Sequence, residues 1–386
     1  MIPAHINLLT LWGIGFFYFF SKIILFIFLI NRIGIRQKKT IYEIFWATLF
    51  LSLFILPDFF LLPRPLGTVV AYSRFSMLGR IWILLILLSG LMLSFYYFFE
   101  KWKYPSIQVP KIKSTSKTLW EPAPFSFLNR AGIHNQIYDL QVNSYRLSLV
   151  GWPSEFNGLT IAHLSDLHFG KYIHPKYAQK IIQRLMQFKA DLIALTGDFV
   201  SRQEDIDAVL NILKPLAASI GVFVVFGNHD HWAGVDTLKR GFRQMPFEIL
   251  QNRFVLVHRK KKTLAVLGVD DLWAGEKNTS AILNIKSDAK ILLAHQPDHF
   301  FLAKKLKVQL QLSGHCHGGQ VCFPRIGPLI VPSNHGRRFA GGFLRSGSST
   351  LFINRGIGGF PPIRLQCQPE VVSIRLESAP HERDHY

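Results

Sequence analysis

Five short segments of this chain each contain side chains of the types that bind metal ions or transfer protons. A donor set that mixes imidazole and carboxylate groups suits manganese, iron or zinc better than calcium. The five segments together therefore indicate a metal site. They are LSDLH with Asp166 and His168, LTGD with Asp198, FGNHD with Asn228, His229 and Asp230, LLAHQPD with His295, and LSGHCH with His315 and His317.

Each segment taken alone has an ordinary structural explanation. An Asp-x-His sequence is common in turns and helix caps, Gly-Asn-His is usually a turn, and a buried histidine more often satisfies a hydrogen bond than binds a metal. The order of the segments carries more weight, because each follows a short apolar run that has the pattern of a strand. Side chains at the carboxyl ends of strands in an α/β sheet converge. The set therefore favours one site over five unrelated turns.

Strands and helices alternate through the C-terminal part of the chain, which is typical of a layered α/β fold. No internal repeat is found. The apolar patterns predict strands over residues 137–149, 160–164, 192–195, 222–226, 254–257, 264–269, 291–294, 308–312, 351–353 and 371–376, and helices over 177–188 and 209–218.

The ordered motifs DLH, GD, GNHD, AH and GHCH resemble those of the calcineurin-like metallophosphoesterases, in particular a membrane-associated bacterial branch of them. The resemblance covers about residues 137–377 and includes stretches such as LTIAHLSDLHFG, VFGNHDHWAG and LSGHCHGGQV. It implies a fold of two mixed β-sheets packed as a sandwich with helices outside. One departure is Cys316, where the family usually has threonine, and a thiol at that position could perturb the choice of metal.

The same resemblance implies the ligands and their roles. Two divalent ions about 3.5–4 Å apart activate water and bind phosphate oxygens, with manganese as the expected metal and iron or zinc as alternatives. His229 is left over as a catalytic group that either steadies developing charge or protonates the leaving group. Asp230 either orients a neighbouring group or only forms the turn. By the resemblance, Asp166, His168 and His317 bind one ion, Asn228, His295 and His315 bind the other, and Asp198 bridges them.

Arginines near the carboxyl end are candidates for binding an anionic substrate. Arg338 and Arg364 are predicted to bind phosphate or diphosphate. Arg337 and Arg355 are further candidates on the same chemistry, and each of the four could instead be an ordinary surface arginine. The sequence HRKKKT at 258–263 separates two strand patterns, so it is either a solvated hairpin tip or a contact with anionic lipid.

The composition indicates a membrane protein with a basic surface. Hydrophobic residues make up 49% of the 386-residue chain and charged residues 18%, which is low for a purely soluble protein. The net charge of +20 fits nucleic acid, an anionic membrane surface or an anionic substrate. No zinc-finger or RNA-stacking motif is found, so we expect no nucleic-acid partner. Three cysteines without framework spacing argue against a disulfide-stapled secreted domain.

Three apolar stretches, Leu8–Leu29, Ile44–Leu62 and Ile81–Phe99, are predicted to cross a membrane. A cleaved signal peptide is the alternative for the first, but it lacks a basic n-region and two more spans follow. Lysines and arginines follow the first and third stretches, so the positive-inside rule places the C-terminal domain in the cytoplasm. We expect a membrane domain over 1–100, a basic and aromatic linker over 101–135, a phosphoesterase domain over 136–378 and a polar tail over 379–386.

The resemblance points to one substrate and leaves two alternatives. Chlamydial-type enzymes of lipid A biosynthesis look like this branch, so the predicted reaction splits UDP-2,3-diacylglucosamine into 2,3-diacylglucosamine 1-phosphate and UMP. The substrate would then be a membrane lipid linked to a diphosphate, and an anionic membrane surface would be a partner. A general phosphodiesterase or phosphatase with soluble substrates is the first alternative. A non-catalytic scaffold is the second, but such scaffolds lose ligands, whereas this chain keeps all of them and His229.

Overall fold

The chain divides into two compact units, Met1–Lys103 and Tyr104–Tyr386, which we call the N-terminal unit and the C-terminal unit. All of the predicted ligands lie in the C-terminal unit. The computed structural model describes residues 17–19, 21–22, 24–25, 77–103, 105–121, 123–126, 132–324, 327–328, 330–359 and 361–379.

The described part of the N-terminal unit is dominated by helix α1, Met77–Lys103, which contains the predicted span Ile81–Phe99. Large apolar side chains on α1 are exposed, among them Leu84 (54%) and Met92 (71%). Within the described residues, however, no helix combines the length and the hydropathy that a membrane crossing requires. The predicted span at 44–62 and most of that at 8–29 lie outside the described residues. The three-span arrangement therefore stays a prediction.

The described strands of the C-terminal unit form two mixed sheets and one short hairpin. In chain order they are β1 Lys111–Thr118, β2 Asp139–Leu149, β3 Thr160–Leu164, β4 Leu192–Leu195, β5 Gly221–Val224, β6 Phe247–Ile249, β7 Arg253–Arg259, β8 Lys262–Gly268, β9 Ala289–Leu293, β10 Leu310–Ser313, β11 Cys322–Phe323, β12 Gly327–Pro328, β13 Gly342–Ser346, β14 Ser349–Ile353 and β15 Glu370–Ser378. The first sheet has the order β1-β2-β15-β3-β4-β5-β6, the second has the order β13-β14-β10-β9-β8-β7, and β11 pairs with β12.

Parallel pairing in the middle of each sheet positions the site. In the first sheet β3, β4 and β5 lie side by side and run in the same direction. In the second sheet β9, β10 and β14 do the same. Because neighbouring parallel strands end at one edge of a sheet, the loops that follow them meet there. This edge receives Asp166, Asp198 and Asn228 from the first sheet, and His295 and His315 from the second.

Three apolar clusters hold the layers together. Inner-face side chains such as Ile161 of the first sheet and Val266 of the second share one cluster, so the sheets pack as a sandwich. The outer face of the first sheet is covered by helices that contribute Ile181 and Val209, and the outer face of the second by a helix that contributes Phe300. The fold predicted from the family resemblance is thus confirmed as an α/β fold with mixed sheets. The helices are α2 Pro175–Met186, α3 Ile206–Leu213, α4 Asn228–Phe242, α5 Ser280–Leu283 and α6 Phe300–Lys305.

The sequence prediction did not include β1, β6, β11, β12, β13, α4, α5 or α6, and two of these, β1 and α4, bear on the sheet edge and on the site. The segment predicted as a linker contains β1, which pairs antiparallel with β2 at the edge of the first sheet. Its sequence KIKSTSKT is exposed along its whole length, so it has no apolar alternation to reveal it. Helix α4 begins at Asn228, where the sequence predicted no helix, and Gly227 is its N-cap.

Candidate metal centre

The first three ligand-bearing loops meet because their strands are neighbours. Asp166 follows β3, Asp198 follows β4, and Asn228 begins α4 after β5. The main chains of these loops touch, since the backbone N–H of His168 donates to the carbonyl of Asp198 across 2.9 Å. A side chain at Gly227 would overlap the Asp198 carboxylate, so only glycine fits there.

One group of donors contains Asp166, His168, Asp198 and His317, whose ligand-type atoms all lie within 4.8 Å of one another. His168 Nε2 is 3.2 Å from His317 Nε2 and 3.4 Å from Asp198 Oδ2. His317 Nε2 is 3.5 Å from Asp166 Oδ1. These are the side chains that the resemblance assigned to one ion together with the bridging carboxylate.

A second group of donors contains Asp198, His295 and His315, again within 4.8 Å of one another. His295 Nε2 is 3.3 Å from Asp198 Oδ2 and 3.1 Å from His315 Nδ1. All three side chains are buried. Asp198 belongs to both groups, which is the place that the resemblance gave to a bridging ligand.

The backbone at most of these ligands is strained. Asp166, His168, Asp198, His315 and His317 have φ angles between 45° and 70°, in the left-handed region. That conformation costs a residue with a side chain about 1–2 kcal/mol. Such strain persists only where surrounding contacts enforce it, and it concentrates at functional sites.

The buried carboxylate of Asp230 supplies part of that enforcement. It accepts hydrogen bonds from the backbone N–H groups of Asp198 and Phe199, both across 2.7 Å, and of Gly227 across 3.0 Å. These donors belong to the loops after β4 and β5, so Asp230 fixes one loop against the other. The bonds from Asp198 and Phe199 orient the neighbouring loop and the bond from Gly227 caps the turn that begins α4, so both roles left open by the sequence are present.

Hydrogen bonds on the far side of two rings aim them at Asp198. His295 Nδ1 donates to the carbonyl oxygen of Thr196 across 2.7 Å, so its Nε2 faces inward towards Asp198. His168 Nδ1 lies 3.1 Å from the hydroxyl of Ser201. Partners of this kind fix the tautomer and orientation of metal-binding histidines.

Burial keeps three of the imidazoles neutral. It lowers the pKa of His168 to about 3 and holds the pKa of His315 and of His317 well below the usual range. Neutral imidazole is the form that binds a metal.

The carboxylates carry the charge of the site. Burial raises the pKa of Asp166 to about 6. Burial also acts to raise the pKa of Asp198, but His295 and His229 outweigh it and hold that pKa well below its usual range. The pKa of His295 is raised to about 10 because Asp198 and Asp166 outweigh its burial. The centre therefore presents negative oxygens to whatever cation lies among the rings.

The residues present fit a pair of divalent ions. The carboxamide oxygen of Asn228 is buried, and no hydrogen-bond donor among the described residues reaches it. A buried polar atom without a partner is unfavourable unless a cation or a donor completes it. The donor set is also of the mixed nitrogen and oxygen type that holds divalent transition metals.

His229 lies beside the cluster without belonging to either donor group. Its ring packs edge-on against the ring of His168, with 4.6 Å between the ring centroids. Its backbone N–H donates to Asp198 Oδ1 across 2.9 Å, which fixes its position relative to the shared ligand. The side chain is half-buried, so it keeps access to a bound substrate.

Two half-buried tryptophans border the cluster, and the sequence analysis did not find them. The ring of Trp232 is 4.8 Å from that of His229, and the ring of Trp273 is 4.4 Å from that of His315. Trp273 is held by a turn in which its backbone N–H donates to Asp271 across 2.8 Å. Trp232 lies within the stretch VFGNHDHWAG, whereas Trp273 lies in none of the motifs that carry the resemblance.

Arg364 does not lie where the sequence predicted a substrate contact. It is fully buried, and its guanidinium donates to the carbonyls of Gly358 (2.6 Å), Arg355 (2.7 Å) and His317 (3.4 Å). The N–H groups of its guanidinium therefore donate to main-chain carbonyls. We correct its role to that of holding the His317 loop against the segment that follows β14.

The other candidate arginines differ from one another. Arg355 forms an ion pair with the buried Glu370 across 2.7 Å, so it is not available to clamp a phosphate. Arg338 lies in the short helix Gly336–Phe339 and is half-buried. Substrate binding by Arg338 stays a prediction.

Cys316 lies between two ligands in sequence but belongs to the apolar core. It is buried in the cluster on the outer face of the second sheet, together with Ala294, Val331 and Phe339. Burial raises the pKa of its thiol well above the usual range. The thiol is therefore a packing group in place of the usual threonine.

The sequence and fold match known proteins. Residues 159–319 match the family model described as calcineurin-like phosphoesterase. The uncharacterized metallophosphoesterase YkuE of Bacillus subtilis is 32% identical over 234 residues, which are 58% of this chain and 82% of YkuE. The phosphodiesterase YaeI of Escherichia coli is 28% identical over 221 residues, which are 56% of this chain and 81% of YaeI. A zebrafish (Danio rerio) protein named transmembrane protein with metallophosphoesterase domain is 28% identical over 269 residues, which are 64% of this chain and 60% of that protein.

The chain belongs to the calcineurin-like phosphoesterase family. The resemblance inferred from the ordered motifs is thereby confirmed. The protein is a metal-dependent phosphoesterase, a hydrolase whose Asp and His cluster is compatible with divalent metal ions.

Proposed function

We propose that the protein hydrolyses the diphosphate of UDP-2,3-diacylglucosamine at the cytoplasmic face of a membrane, releasing UMP and 2,3-diacylglucosamine 1-phosphate. The observation that carries the hydrolytic part is the pair of donor groups that share Asp198. The lipid part is supported by the apolar stretches at 8–29, 44–62 and 81–99 and by the resemblance to membrane-associated bacterial enzymes. The net charge of +20 suits both an anionic membrane surface and a diphosphate substrate.

The ligands would hold two divalent ions, and manganese is the proposed metal because imidazole and carboxylate donors both suit it. Bound ions would polarise the phosphoryl oxygens and make water nucleophilic at neutral pH. The chain keeps Asp198 between the two donor groups through the hydrogen bond from its backbone N–H to Asp230. The proposed ligands are Asp166, His168, Asp198, Asn228, His295, His315 and His317.

His229 is the residue proposed to act on the substrate directly. Its half-buried ring stands next to His168, and its main chain is tied to Asp198. An imidazole at that place can donate a hydrogen bond to a phosphoryl oxygen or give a proton to the departing phosphate oxygen. Both roles stabilise the charge that develops as the bond to phosphorus breaks.

The membrane location is part of the proposal. The name of the zebrafish relative describes a transmembrane protein, and the apolar stretches of this chain support the same arrangement. Basic residues after the first and third stretches support a cytoplasmic C-terminal unit. Nucleotide-linked lipids would then be within reach of the metal centre.

A general phosphodiesterase with soluble substrates is the second candidate. It is favoured by the name of the Escherichia coli relative, which states a phosphodiesterase and no lipid. The same ligands and the same His229 would serve it, because the chemistry at phosphorus is shared.

The two candidates separate in one assay. Full-length protein, purified in detergent and loaded with Mn²⁺, is incubated with UDP-2,3-diacylglucosamine, with other lipid diphosphates and with a model phosphodiester. We expect release of UMP from the first substrate, loss of that release in His229→Ala, and no change in Arg259→Ala, an exposed residue of the β7–β8 hairpin. Diester hydrolysis without UMP release would put the second candidate ahead, and no turnover of any substrate by metal-loaded protein would reject both.

Complementation gives an independent test. A bacterium depleted of its own UDP-2,3-diacylglucosamine hydrolase should grow when it expresses the wild-type chain and should fail to grow with His229→Ala. Failure of a well-expressed, membrane-inserted wild-type chain to restore growth would contradict the lipid substrate.

A further inference from the structure

A groove with a volume of about 660 Å³ opens on the outer face of the first sheet. It lies between the edge strand β1 and the C-terminal end of α2, and its floor is formed by β2, β15 and the start of β3. Ligand-binding cavities in proteins commonly have volumes of about 300–1,000 Å³. The groove is therefore large enough to hold part of an organic molecule.

The strand register explains why these side chains share one face. Lys113, Thr115 and Lys117 of β1 lie opposite residues 144, 142 and 140 of β2. Ser114, between Lys113 and Thr115, points to the other face, where its hydroxyl donates to Asn143 Oδ1 across 2.7 Å. Because side chains alternate along a strand, the two lysines and the apolar floor of β2 line the same groove.

The groove is amphipathic and positively charged. Its cations are Lys113, Lys117, Arg184 and Arg375, and no acidic side chain is among its lining residues. Of these cations, Arg375 is paired at 3.7 Å with Glu377, which lies outside the lining. The apolar part of the lining includes Ile112, Leu119, Leu140, Val142 and Phe188.

This combination selects the class of ligand. A small inorganic anion would leave the apolar floor wet, and a neutral lipid would leave the cations uncompensated. Lysine and arginine near a membrane surface attract anionic lipids, with about 1 kcal/mol for each cation. An anion that carries a hydrocarbon chain satisfies both parts of the lining.

The sequence that precedes the groove supports a lipid source, because the apolar stretch 81–99 comes shortly before β1 in the chain. The groove is also remote from the metal centre along the strand, because Thr160 begins β3 whereas Asp166 follows its end. A ligand in the groove therefore does not compete with the substrate.

We propose that this groove binds an anionic phospholipid of the bilayer, with the phosphate among Lys113, Lys117 and Arg184 and an acyl chain along Leu140 and Val142. The proposal rests on the membrane location proposed above and is independent of the substrate. Its effect would be to orient the C-terminal unit on an anionic membrane surface.

The test uses the full-length chain in nanodiscs of phosphatidylcholine that contain a phosphatidylglycerol analogue with a photoreactive acyl chain. After illumination, labelled peptides are identified by mass spectrometry. We expect label on peptides that contain residues 111–119, 140–144 or 184–188. Labels in the N-terminal unit are counted separately, so that insertion of α1 does not mimic occupancy of the groove.

Matched variants separate the groove from general surface charge. Lys113→Glu/Lys117→Glu removes two attractive cations. At about 1 kcal/mol for each cation, the loss of about 2 kcal/mol should reduce the label on the groove peptides about thirtyfold. Lys260→Glu/Lys261→Glu makes the same change of charge on two exposed lysines at the β7–β8 hairpin and should leave that label unchanged. Ser144→Trp keeps every cation but fills the groove, and it should abolish the label.

Several results would overturn the proposal. They are equal loss of label in the Lys260 and Lys261 variant, full labelling in Ser144→Trp, equal labelling by a phosphatidylcholine analogue, and displacement of the label by a single-stranded oligonucleotide. Hydrolysis of a soluble model diester is measured in the same preparations and should be unchanged in all variants. Loss of diester hydrolysis in the wild type would count against the proposed function and not against the groove.

Discussion

Replacing Arg364 by methionine separates the structural role of this residue from the substrate contact that the sequence predicted. The guanidinium is fully buried and makes three short hydrogen bonds, two to the carbonyl of Gly358 (2.6 and 3.1 Å) and one to that of Arg355 (2.7 Å). Methionine has a similar length but no donor. The carbonyls of Gly358 and Arg355 would therefore lose these hydrogen bonds.

The size of the effect follows from those bonds. A hydrogen bond to a charged group contributes about 1.5–3 kcal/mol, and some of the freed carbonyls would find water or new donors. We therefore expect Arg364→Met to lower the free energy of unfolding of the C-terminal unit by about 3–5 kcal/mol. The His317 loop should loosen as well, because Arg364 also donates to the His317 carbonyl.

The assay combines urea unfolding of full-length protein in detergent, metal content by elemental analysis, and kinetics on a soluble diester. Arg364→Met should lose stability and metal, and kcat should fall more than KM rises. Arg259→Met, at an exposed position, should stay within about 0.5 kcal/mol of the wild type. Unchanged stability together with a large rise in KM and an intact kcat would refute the structural role and restore the substrate contact.

Three further predictions concern the metal centre, a buried pair and the topology. Asp198→Ala should reduce metal content towards zero, whereas His315→Ala should retain about one ion per chain, and retention of both ions in Asp198→Ala would show that the carboxylate is not shared. His231 Nε2 lies 2.7 Å from Asp270 Oδ1. Burial opposes ionisation of both groups, but their hydrogen bond lowers the pKa of Asp270 to about 2 and raises the pKa of His231. The stability from Asp270 is therefore present above its unfolded pKa near 3.8 and lost as the pH falls towards 2, and that from His231 is present below 6.5 and lost as the pH rises through its raised pKa. Unfolding midpoints measured across this range should lose both trends in Asp270→Asn, and an unaltered pH profile in that variant would contradict the pairing. A reporter fused after Tyr386 should behave as cytoplasmic, and a signal from the opposite side would invert the proposed topology.

Many of the strands could be predicted from the sequence because they carry a short apolar run, and β3 and β4 begin and end where the pattern placed them. The edge strand β1 could not, since its side chains are all exposed and carry no alternation. Helix α4 was missed because it begins within the GNHD motif and contains Gly234, which has a φ of 129°. Local sequence patterns cannot predict either feature, because pairing at a sheet edge and a kinked helix depend on distant contacts.

The donor cluster could be predicted from the sequence because strand ends in a parallel sheet converge, whatever the conformation of the loops between them. The environment of Arg364 could not, since nothing local distinguishes an arginine that binds phosphate from one that holds carbonyls. The position of Trp273 could not be predicted either, because its contact with His315 joins the loops after β8 and β10. Sequence motifs thus predict the metal-binding side chains, whereas tertiary packing determines which other side chains surround them.

The backbone strain at the ligands is offset by hydrogen bonds to the carboxylates of the same site. Five ligands with positive φ carry strain of about 5–10 kcal/mol together, which is comparable to the whole stability of a typical domain. Backbone N–H groups donate to the carboxylates of the site and offset that strain, three of them to Asp230, that of His315 to Asp166, and that of His229 to Asp198. A hydrogen bond contributes about 0.5–1.5 kcal/mol, and about 1.5–3 kcal/mol where the acceptor is charged, so the five bonds together are of the same order as the strain. In Asp198 one oxygen accepts the N–H of His229 while the other faces the imidazoles. The same side chain therefore shapes the loop and presents the ligand, and neither task can be altered without the other.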